Sequence, residues 1–328
     1  MSSSGISDPQ VAEQEAFMSV RVVSKRAVAA DTYCFELVSL DGTTLPPATP
    51  GAHLTVITPK GMRRNYSLCG DASDTSRYQI AVKRDANGRG GSQSMVDDVQ
   101  DGAILSVSAP RNNFELTPRA ASFIFIAGGI GITPILSMLR HLKANGNPNF
   151  KLYYCTRDPA STAFGDTLHD EFAGQVLLHH DHGDINKGYD FWPVLEKPSG
   201  AHVYCCGPRG LMDSVADMAG HWPSGSIHFE SFGVDARAFA ENAAFDVLLK
   251  ESGRSFTVSK EQTLLEALRA HGCLVRSSCE SGTCGSCKTR LIAGAADHRD
   301  MVLSDEERTN HIMPCVSRAR SAELVLDL

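Results

Sequence analysis

Cys279, Cys284, Cys287 and Cys315 stand as C-x4-C-x2-C, a gap of 27 residues, then C. One tight loop must supply three thiolates, and a distant segment must return to supply the fourth. That is the spacing at which four thiolates hold a 2Fe–2S cluster. The loop reads C-E-S-G-T-C-G-S-C. Gly282 and Gly285 suit a backbone that wraps a small inorganic core, because glycine tolerates dihedrals that other residues avoid. Ser278, Thr283 and Ser286 are placed to hold the loop by hydrogen bonds, which tune a cluster's potential. The competing readings are a structural zinc site or four unrelated core thiols. Zinc sites favour paired C-x2-C knuckles, and Cys315 has no near partner of that kind. A cluster of this sort moves one electron at a time, so electron transfer is the expected business of the chain.

The chain has 328 residues, enough for two or three domains. No stretch reaches the roughly 20 apolar residues of a membrane span. The run from Phe123 to Leu139 is broken by Gly128, Gly129, Gly131 and Pro134. The opening M-S-S-S-G-I-S-D-P-Q has no basic region followed by an apolar core, so no secretory signal is expected. Ten cysteines without an export signal imply reduced thiols and a cytoplasmic protein. The net charge of −7, with no basic block, argues against nucleic acid as a partner. A monomer is the default expectation.

The pattern along the chain divides it into three parts and a linker. Residues 17–117 read as short strands: Val20–Val23, Tyr33–Val38, His53–Ile57, Tyr66–Cys69, Tyr78–Lys83 and Ile104–Val107. Turn signals such as Asp41-Gly42 and Asp101-Gly102 separate them, and one helix lies near Ser92–Val99, so a small barrel or sandwich is expected. Residues 118–232 alternate apolar runs with helical segments. The runs are Phe123–Ile126, Leu152–Cys155, Val176–His179 and Val203–Cys206. The helices are expected near Pro134–Lys143, Thr167–Phe172 and Leu211–Ala219. Such alternation implies a parallel sheet covered on both faces, which binds ligands at the carboxyl ends of its strands. Residues 233–243 read as a linker. In 244–328, Phe245–Leu249 and Ser255–Val258 form a hairpin, and Thr263 opens a helix with Glu266 completing a capping box.

Two motifs in the first part carry chemistry. In Arg64-Asn65-Tyr66-Ser67, alternate residues face opposite sides of a strand. An aromatic ring can lie along a flavin, a hydroxyl can reach a flavin ring atom, and a guanidinium can hold phosphate through a bidentate fork. Asn87-Gly88-Arg89-Gly90-Gly91-Ser92 precedes a helix, and exposed N–H groups with a helix start suit a phosphate. Taken singly, they are equally an ordinary barrel strand and a flexible loop.

The second part has two glycine turns at strand ends. Ala127-Gly128-Gly129-Ile130-Gly131-Ile132-Thr133-Pro134 leads into a helix, and Pro134 suits its first turn. Cys206-Gly207-Pro208 ends another strand. At neighbouring strand ends they would frame a nicotinamide crevice. Cys206 is a candidate for the hydride site or a core thiol; Cys205 faces the other way. Thr156-Arg157-Asp158, at a third strand end, is a candidate contact for the adenosine ribose. Asp158 repels a 2′-phosphate and Arg157 attracts one, so NADH against NADPH stays open. His179-His180-Asp181-His182 reads as a solvated strand end rather than a metal site.

The order R-N-Y-S, then Ala81-Val82-Lys83-Arg84, then G-R-G-G-S resembles the flavin-binding barrel of the ferredoxin reductase superfamily. G-G-I-G-I-T-P paired with C-G-P resembles the nicotinamide signature of the same superfamily. With a plant-type ferredoxin segment at the carboxyl end, the chain from about residue 17 onward resembles the phthalate dioxygenase reductase family. That family includes the reductases of vanillate demethylase and phenoxybenzoate dioxygenase.

The resemblance implies a multidomain α+β fold: an antiparallel flavin-binding β-barrel, an α/β parallel-sheet nicotinamide domain and a β-grasp ferredoxin domain. It implies FMN rather than FAD, although the residues themselves do not decide between them. Flavin contacts would come from Arg64, Asn65, Tyr66, Ser67, Ala81, Val82, Lys83, Gly90, Gly91 and Ser92. Phe232 would cover the flavin where nicotinamide stacks. Nicotinamide nucleotide contacts would come from Gly128, Gly129, Gly131, Thr133, Thr156, Arg157, Asp158, Cys206, Gly207 and Pro208. Cys206, Ser67 and Phe232 would serve hydride transfer. Electrons would run from NADH to FMN to the 2Fe–2S cluster, whose potential in plant-type ferredoxins is about −400 mV. They would end in a Rieske-type aromatic oxygenase. Arg276, Glu280 and Arg290 are candidates for its docking face. A reductase serving another acceptor, such as a ferredoxin or a different monooxygenase, and a non-enzymatic redox sensor are the other readings.

Overall fold

The computed structural model describes residues 16–88, 90–118, 120–147, 149–223, 225–232, 242–277 and 279–328. Arg89, Ser278 and residues 233–241 of the expected linker lie outside the described residues.

The first unit is antiparallel. It comprises β1 (Phe17–Ala29), β2 (Thr32–Ser39), β3 (His53–Ile57), β4 (Arg63–Ser67), β5 (Tyr78–Lys83), helix α1 (Gly91–Asp98) and β6 (Ile104–Ser108). The order is β4-β3-β6-β1-β2-β5. A bridge between Leu68 and Ile80 joins the two edges, so the sheet closes as a barrel rather than opening as a sandwich. Period-two patterning sends Val20, Val22, Phe35, Leu37, Leu54 and Val56 into one core.

The second unit is parallel. Its elements are β7 (Phe123–Gly128), α2 (Ile132–Ala144), β8 (Phe150–Thr156), α3 (Gly165–Glu171), β9 (Val176–His180), α4 (Trp192–Leu195), β10 (His202–Cys206), α5 (Arg209–Met218) and β11 (Ile227–Glu230). The order is β11-β10-β7-β8-β9. The chain steps outward from β7 to β9, then crosses back to β10 on the other side of β7. The carboxyl ends of β7 and β10 therefore flank a topological switch point, the place where such sheets bind ligands. Every residue of α2 from Ile132 to Leu139 is buried. Cys34, Cys69 and Ala81 of the barrel share a continuous core with Phe123, Phe125 and α2, so the two units pack as one body.

The third unit holds β12 (Phe245–Leu249), β13 (Ser255–Val258), α6 (Leu264–Ala270), β14 (Thr289–Ala293), β15 (Ala296–Asp297), α7 (Asp305–Arg308), β16 (His311–Ile312), β17 (Arg318–Ala319) and β18 (Glu323–Leu326). Its main sheet runs β13-β12-β18-β14-β16, with β12 and β18 parallel. The expected hairpin is present, with Phe245 opposite Val258. So is the capping box: Thr263 accepts from the Glu266 N–H, and the Glu266 carboxylate accepts from the Thr263 N–H. Leu264 and Leu268 of α6 then lie on the sheet against Val247, Leu324 and Leu326.

Candidate functional site

β4 lies at the barrel edge and carries R-N-Y-S. The Thr55 hydroxyl donates to Asn65 Oδ1 at 3.0 Å, which fixes Asn65 outward across the β3–β4 pair. The Tyr66 ring leans on the barrel core, but its hydroxyl is buried without a hydrogen-bond partner. Burial pushes that hydroxyl's pKa well up. Leaving such a group unpaired costs about 1–3 kcal/mol, so the site fits a ligand that supplies the missing bond. Arg64 packs over the start of α1: a Cβ on Gly91 would lie 2.5 Å from its Nε. Gly90 caps that helix at φ +82° and offers no side chain to its first N–H groups. A guanidinium beside a bare helix start can hold a phosphate, and here Arg64 donates to the Arg63 carbonyl at 2.7 Å. Ser92 closes the preceding loop, its hydroxyl accepting from the Asp85 N–H at 3.1 Å. Ala81 and Val82 are buried, and Lys83 faces outward. These features fit a flavin mononucleotide lying along β4 with its phosphate toward α1.

The two glycine turns of the second unit touch one another. A Cβ on Gly131 would sit 2.1 Å from the Cys206 carbonyl oxygen, and one on Gly128 would sit 2.5 Å from Pro208 Cδ. A Cβ on Gly207 would meet Gly128 Cα at 2.9 Å. The sequence alone assigns these glycines to ligand approach; the structure gives all three a packing reason as well. Gly129, at φ +52°, has open space where a Cβ would stand. The Thr133 hydroxyl is buried and donates to the Ile130 carbonyl at 3.0 Å, closing the turn.

Cys206 and Cys205 are both fully buried but join different cores. Burial first, and then the neighbouring Glu230 charge, push the Cys206 thiol well up. Glu230 was not among the sequence candidates. It ends β11 directly beside Cys206, and the Ser67 hydroxyl reaches its Oε2 at 3.5 Å from the barrel. Burial, with a smaller contribution from Cys279, pushes this carboxyl up to about 8, while the Ser67 bond opposes the rise. Ser67, Cys206 and Glu230 thus meet across the barrel–sheet junction. Phe232, two residues further on, leaves 46% of its surface exposed, an aromatic face available to a planar group.

At the β8 end the three candidates part company. The Thr156 hydroxyl is buried between Thr162 at 2.7 Å and His180 Nδ1 at 2.9 Å. Asp158 caps its own short turn by accepting from the Ser161 N–H at 2.8 Å. The Arg157 side chain lies beside Gly183. His180 and His182 gather no metal-binding trio among the described residues.

Two pairs of the cluster cysteines are neighbours: the Cys279 N–H points at Cys284 Sγ at 3.5 Å, and Cys287 and Cys315 are buried in one small apolar cluster with Met313. Together they supply the four thiolates that one such cluster needs. The Ser281 N–H points at Cys279 Sγ at 3.4 Å, and the Ser286 hydroxyl lies 3.2 Å from Cys284 Sγ. The neighbouring Cys284, then the Ser281 donors, draw the Cys279 thiol below its ordinary range. Gly282 and Gly285 adopt φ +79° and +77°, and Glu280 between Cys279 and Gly282 adopts φ +52°, so the loop turns left-handed three times, twice at glycine. The donor set and the loop geometry fit a 2Fe–2S cluster.

Comparison with known proteins agrees with this geometry. The family described as "2Fe-2S iron-sulfur cluster binding domain" matches residues 247–320. The chain is 57% identical to a phthalate dioxygenase reductase of Burkholderia cepacia over 96% of this chain and 99% of that protein. It is 58% identical to a phthalate 4,5-dioxygenase oxygenase reductase subunit of Pseudomonas putida over 96% of this chain and 98% of that protein. A solved structure of phthalate dioxygenase reductase, described as modular for electron transfer from pyridine nucleotides to [2Fe-2S], superposes with a TM-score of 0.76. It is 57% identical and covers 95% of this chain and 98% of its own. With a barrel, a parallel sheet and a cysteine-bearing sheet in that order, and this likeness end to end, the chain belongs to the phthalate dioxygenase reductase family.

Proposed function

We propose that this protein is the NADH-dependent reductase component of a Rieske-type aromatic oxygenase. Arg64, Asn65, Tyr66 and Ser67 would hold FMN, with Arg64, Gly90 and Gly91 available to its phosphate. The β7 and β10 turns would hold the nicotinamide nucleotide. When bound, the flavin takes two electrons as hydride and releases them singly, which the cluster requires. The protein's own part is placement. The Tyr66 hydroxyl and Asn65 orient the ring, and Ser67 addresses its reactive edge. Phe232 would cover the flavin where nicotinamide stacks. Cys206, kept a neutral thiol by burial, would pack beside the nicotinamide ring, with the buried Glu230 carboxyl, pushed up to about 8 chiefly by desolvation, next to it. Cys279, Cys284, Cys287 and Cys315 hold the cluster.

One observation carries the reading. The Ser67 hydroxyl of the barrel reaches the Glu230 carboxylate at 3.5 Å where Glu230 stands opposite Cys206 on the neighbouring strand, so the ends of R-N-Y-S and of the C-G-P strand, far apart in sequence, meet at one point. Asp158 would repel a 2′-phosphate and Arg157 would attract one, so NADH is taken here from the family resemblance. Ten cysteines without an export signal support a cytoplasmic protein, and a monomer is the default expectation. No described helix is long and apolar enough to cross a membrane. The test is to release the cofactors, identify the flavin by mass, count iron and sulfide, and compare NADH with NADPH in cytochrome c reduction. FMN, two irons per chain and preference for NADH are expected. A colourless protein after anaerobic reconstitution would refute the proposal.

A second acceptor class has its own support. A solved intact self-sufficient cytochrome P450 monooxygenase is 35% identical over 98% of this chain and 43% of its own, with a TM-score of 0.71. Electron delivery to a purified Rieske oxygenase against a cytochrome P450 separates the two.

A further inference from the structure

We propose that Arg209 is a positioning residue that clamps the iron–sulfur unit onto the nucleotide-binding unit and so sets the rate at which electrons reach the cluster. This rests on the electron path proposed above. Arg209 opens α5 immediately after Cys206-Gly207-Pro208. Its Nε donates to the Asp213 carboxylate one turn on, at 2.7 Å, so its own helix aims the guanidinium. Its Nη1 then donates to the backbone carbonyl of Arg299, also at 2.7 Å. That bond crosses from the second unit to the third.

The strap it grips, residues 299–303, is held from within. Arg299 bonds Asp297 at 2.7 Å and Asn242 Oδ1 at 2.9 Å. The buried Asp300 carboxylate accepts from the Leu303 N–H at 2.9 Å. Met301, the next residue, packs its side chain into the apolar cluster of Val203, Cys205, Met212 and Val215 in the second unit. The Met301 N–H donates to the Gly282 carbonyl in the cluster loop at 3.0 Å. Gly282 is pressed so close to the strap that an added Cβ would lie 3.2 Å from Asp300 Cα. Arg209 and Met301 therefore grip one face of a strap whose other face carries the cluster loop. A surface ion pair such as Arg209–Asp213 contributes little by itself. A charged donor on a carbonyl across a boundary is a stronger bond.

The hydride step, two electrons from NADH to flavin, lies on the near side of this clamp. Transfer of one electron from flavin to cluster, with one kept by the flavin, crosses it. Only the second step depends on Arg209. The test uses the full cofactor-loaded chain and two independent substitutions, Arg209→Ala and Met301→Ala. Mixed anaerobically with NADH in a stopped-flow instrument, both should bleach the flavin at the wild-type rate. Cluster bleaching should slow in both, about tenfold in Arg209→Ala, the factor one charge-assisted hydrogen bond controls. Arg209→Lys should fall between. Ferricyanide reduction, fed by the flavin, should hold while cytochrome c reduction falls, and the cluster's EPR signal after dithionite should be unchanged. Amide exchange at residues 299–303 should rise in both variants, a readout that needs no turnover.

Wild-type cluster bleaching in both variants, or equal slowing of flavin and cluster, overturns the clamp. So does unchanged exchange. If NADH leaves the wild-type cluster oxidised, the electron path itself is wrong, and exchange alone still decides whether Arg209 clamps the units.

Discussion

A single methyl group decides whether the two turns of the nucleotide crevice can meet. Gly131→Ala would place a Cβ 2.1 Å from the Cys206 carbonyl oxygen. Overpacking of this kind costs about 1–3 kcal/mol, so thermal unfolding should come earlier and the KM for NADH should rise. An unchanged melting temperature would mean the turns are not in contact. Tyr66→Phe removes the buried hydroxyl that has no partner in the protein alone. The cofactor-free protein should be no less stable, whereas flavin affinity should fall about 2- to 10-fold, the worth of one hydrogen bond; equilibrium dialysis against FMN measures it. The glycines and Tyr66 were legible in the sequence because turn chemistry and strand alternation are local. Glu230 was not. Its meaning comes from register with Cys206 and from Ser67, which is 163 residues away. An acidic residue at a strand end, two positions before Phe232, is a faint signal.

Elements with long apolar runs, such as β7, β8 and β10, were legible, and so was α6 through its capping box. β11 was not, since I-H-F-E is short and half polar; nor were β14 to β18, whose two- to five-residue strands exist only by pairing. β11 repays attention. His228 stacks on Tyr204 at 4.3 Å and meets His202 across 3.0 Å. Burial, then the nearby His202, lowers its pKa from 6.5 to about 4. The unfolded chain therefore takes up a proton that the fold refuses, and the stability present above pH 6.5 is lost as pH falls toward 4. His228→Phe keeps the stack and removes the titration. Its melting temperature should drop less between pH 7 and pH 5 than that of the wild type, and an equal drop would exonerate His228.

At the scale of the molecule, the parts separate by chemistry. Cys315→Ser takes one of four thiolates from the cluster. Iron and sulfide should be lost and cytochrome c reduction should fall to background, while NADH-driven ferricyanide reduction persists; loss of both would mean that the flavin site depends on the cluster. The three-part architecture was legible because each part has its own period and motif. How the parts meet was not, because the contacts at Ser67–Glu230 and Arg209–Arg299 join residues with no shared local pattern. The third sheet has one more consequence. β18 sits between β12 and β14 at its centre, yet it follows both in the chain, as does Cys315. On the ribosome, the barrel and parallel sheet can be finished while the cysteine-bearing sheet still lacks its middle strand. Iron and sulfide must therefore be delivered after that stretch has been synthesised, into a chain whose flavin half has already taken shape.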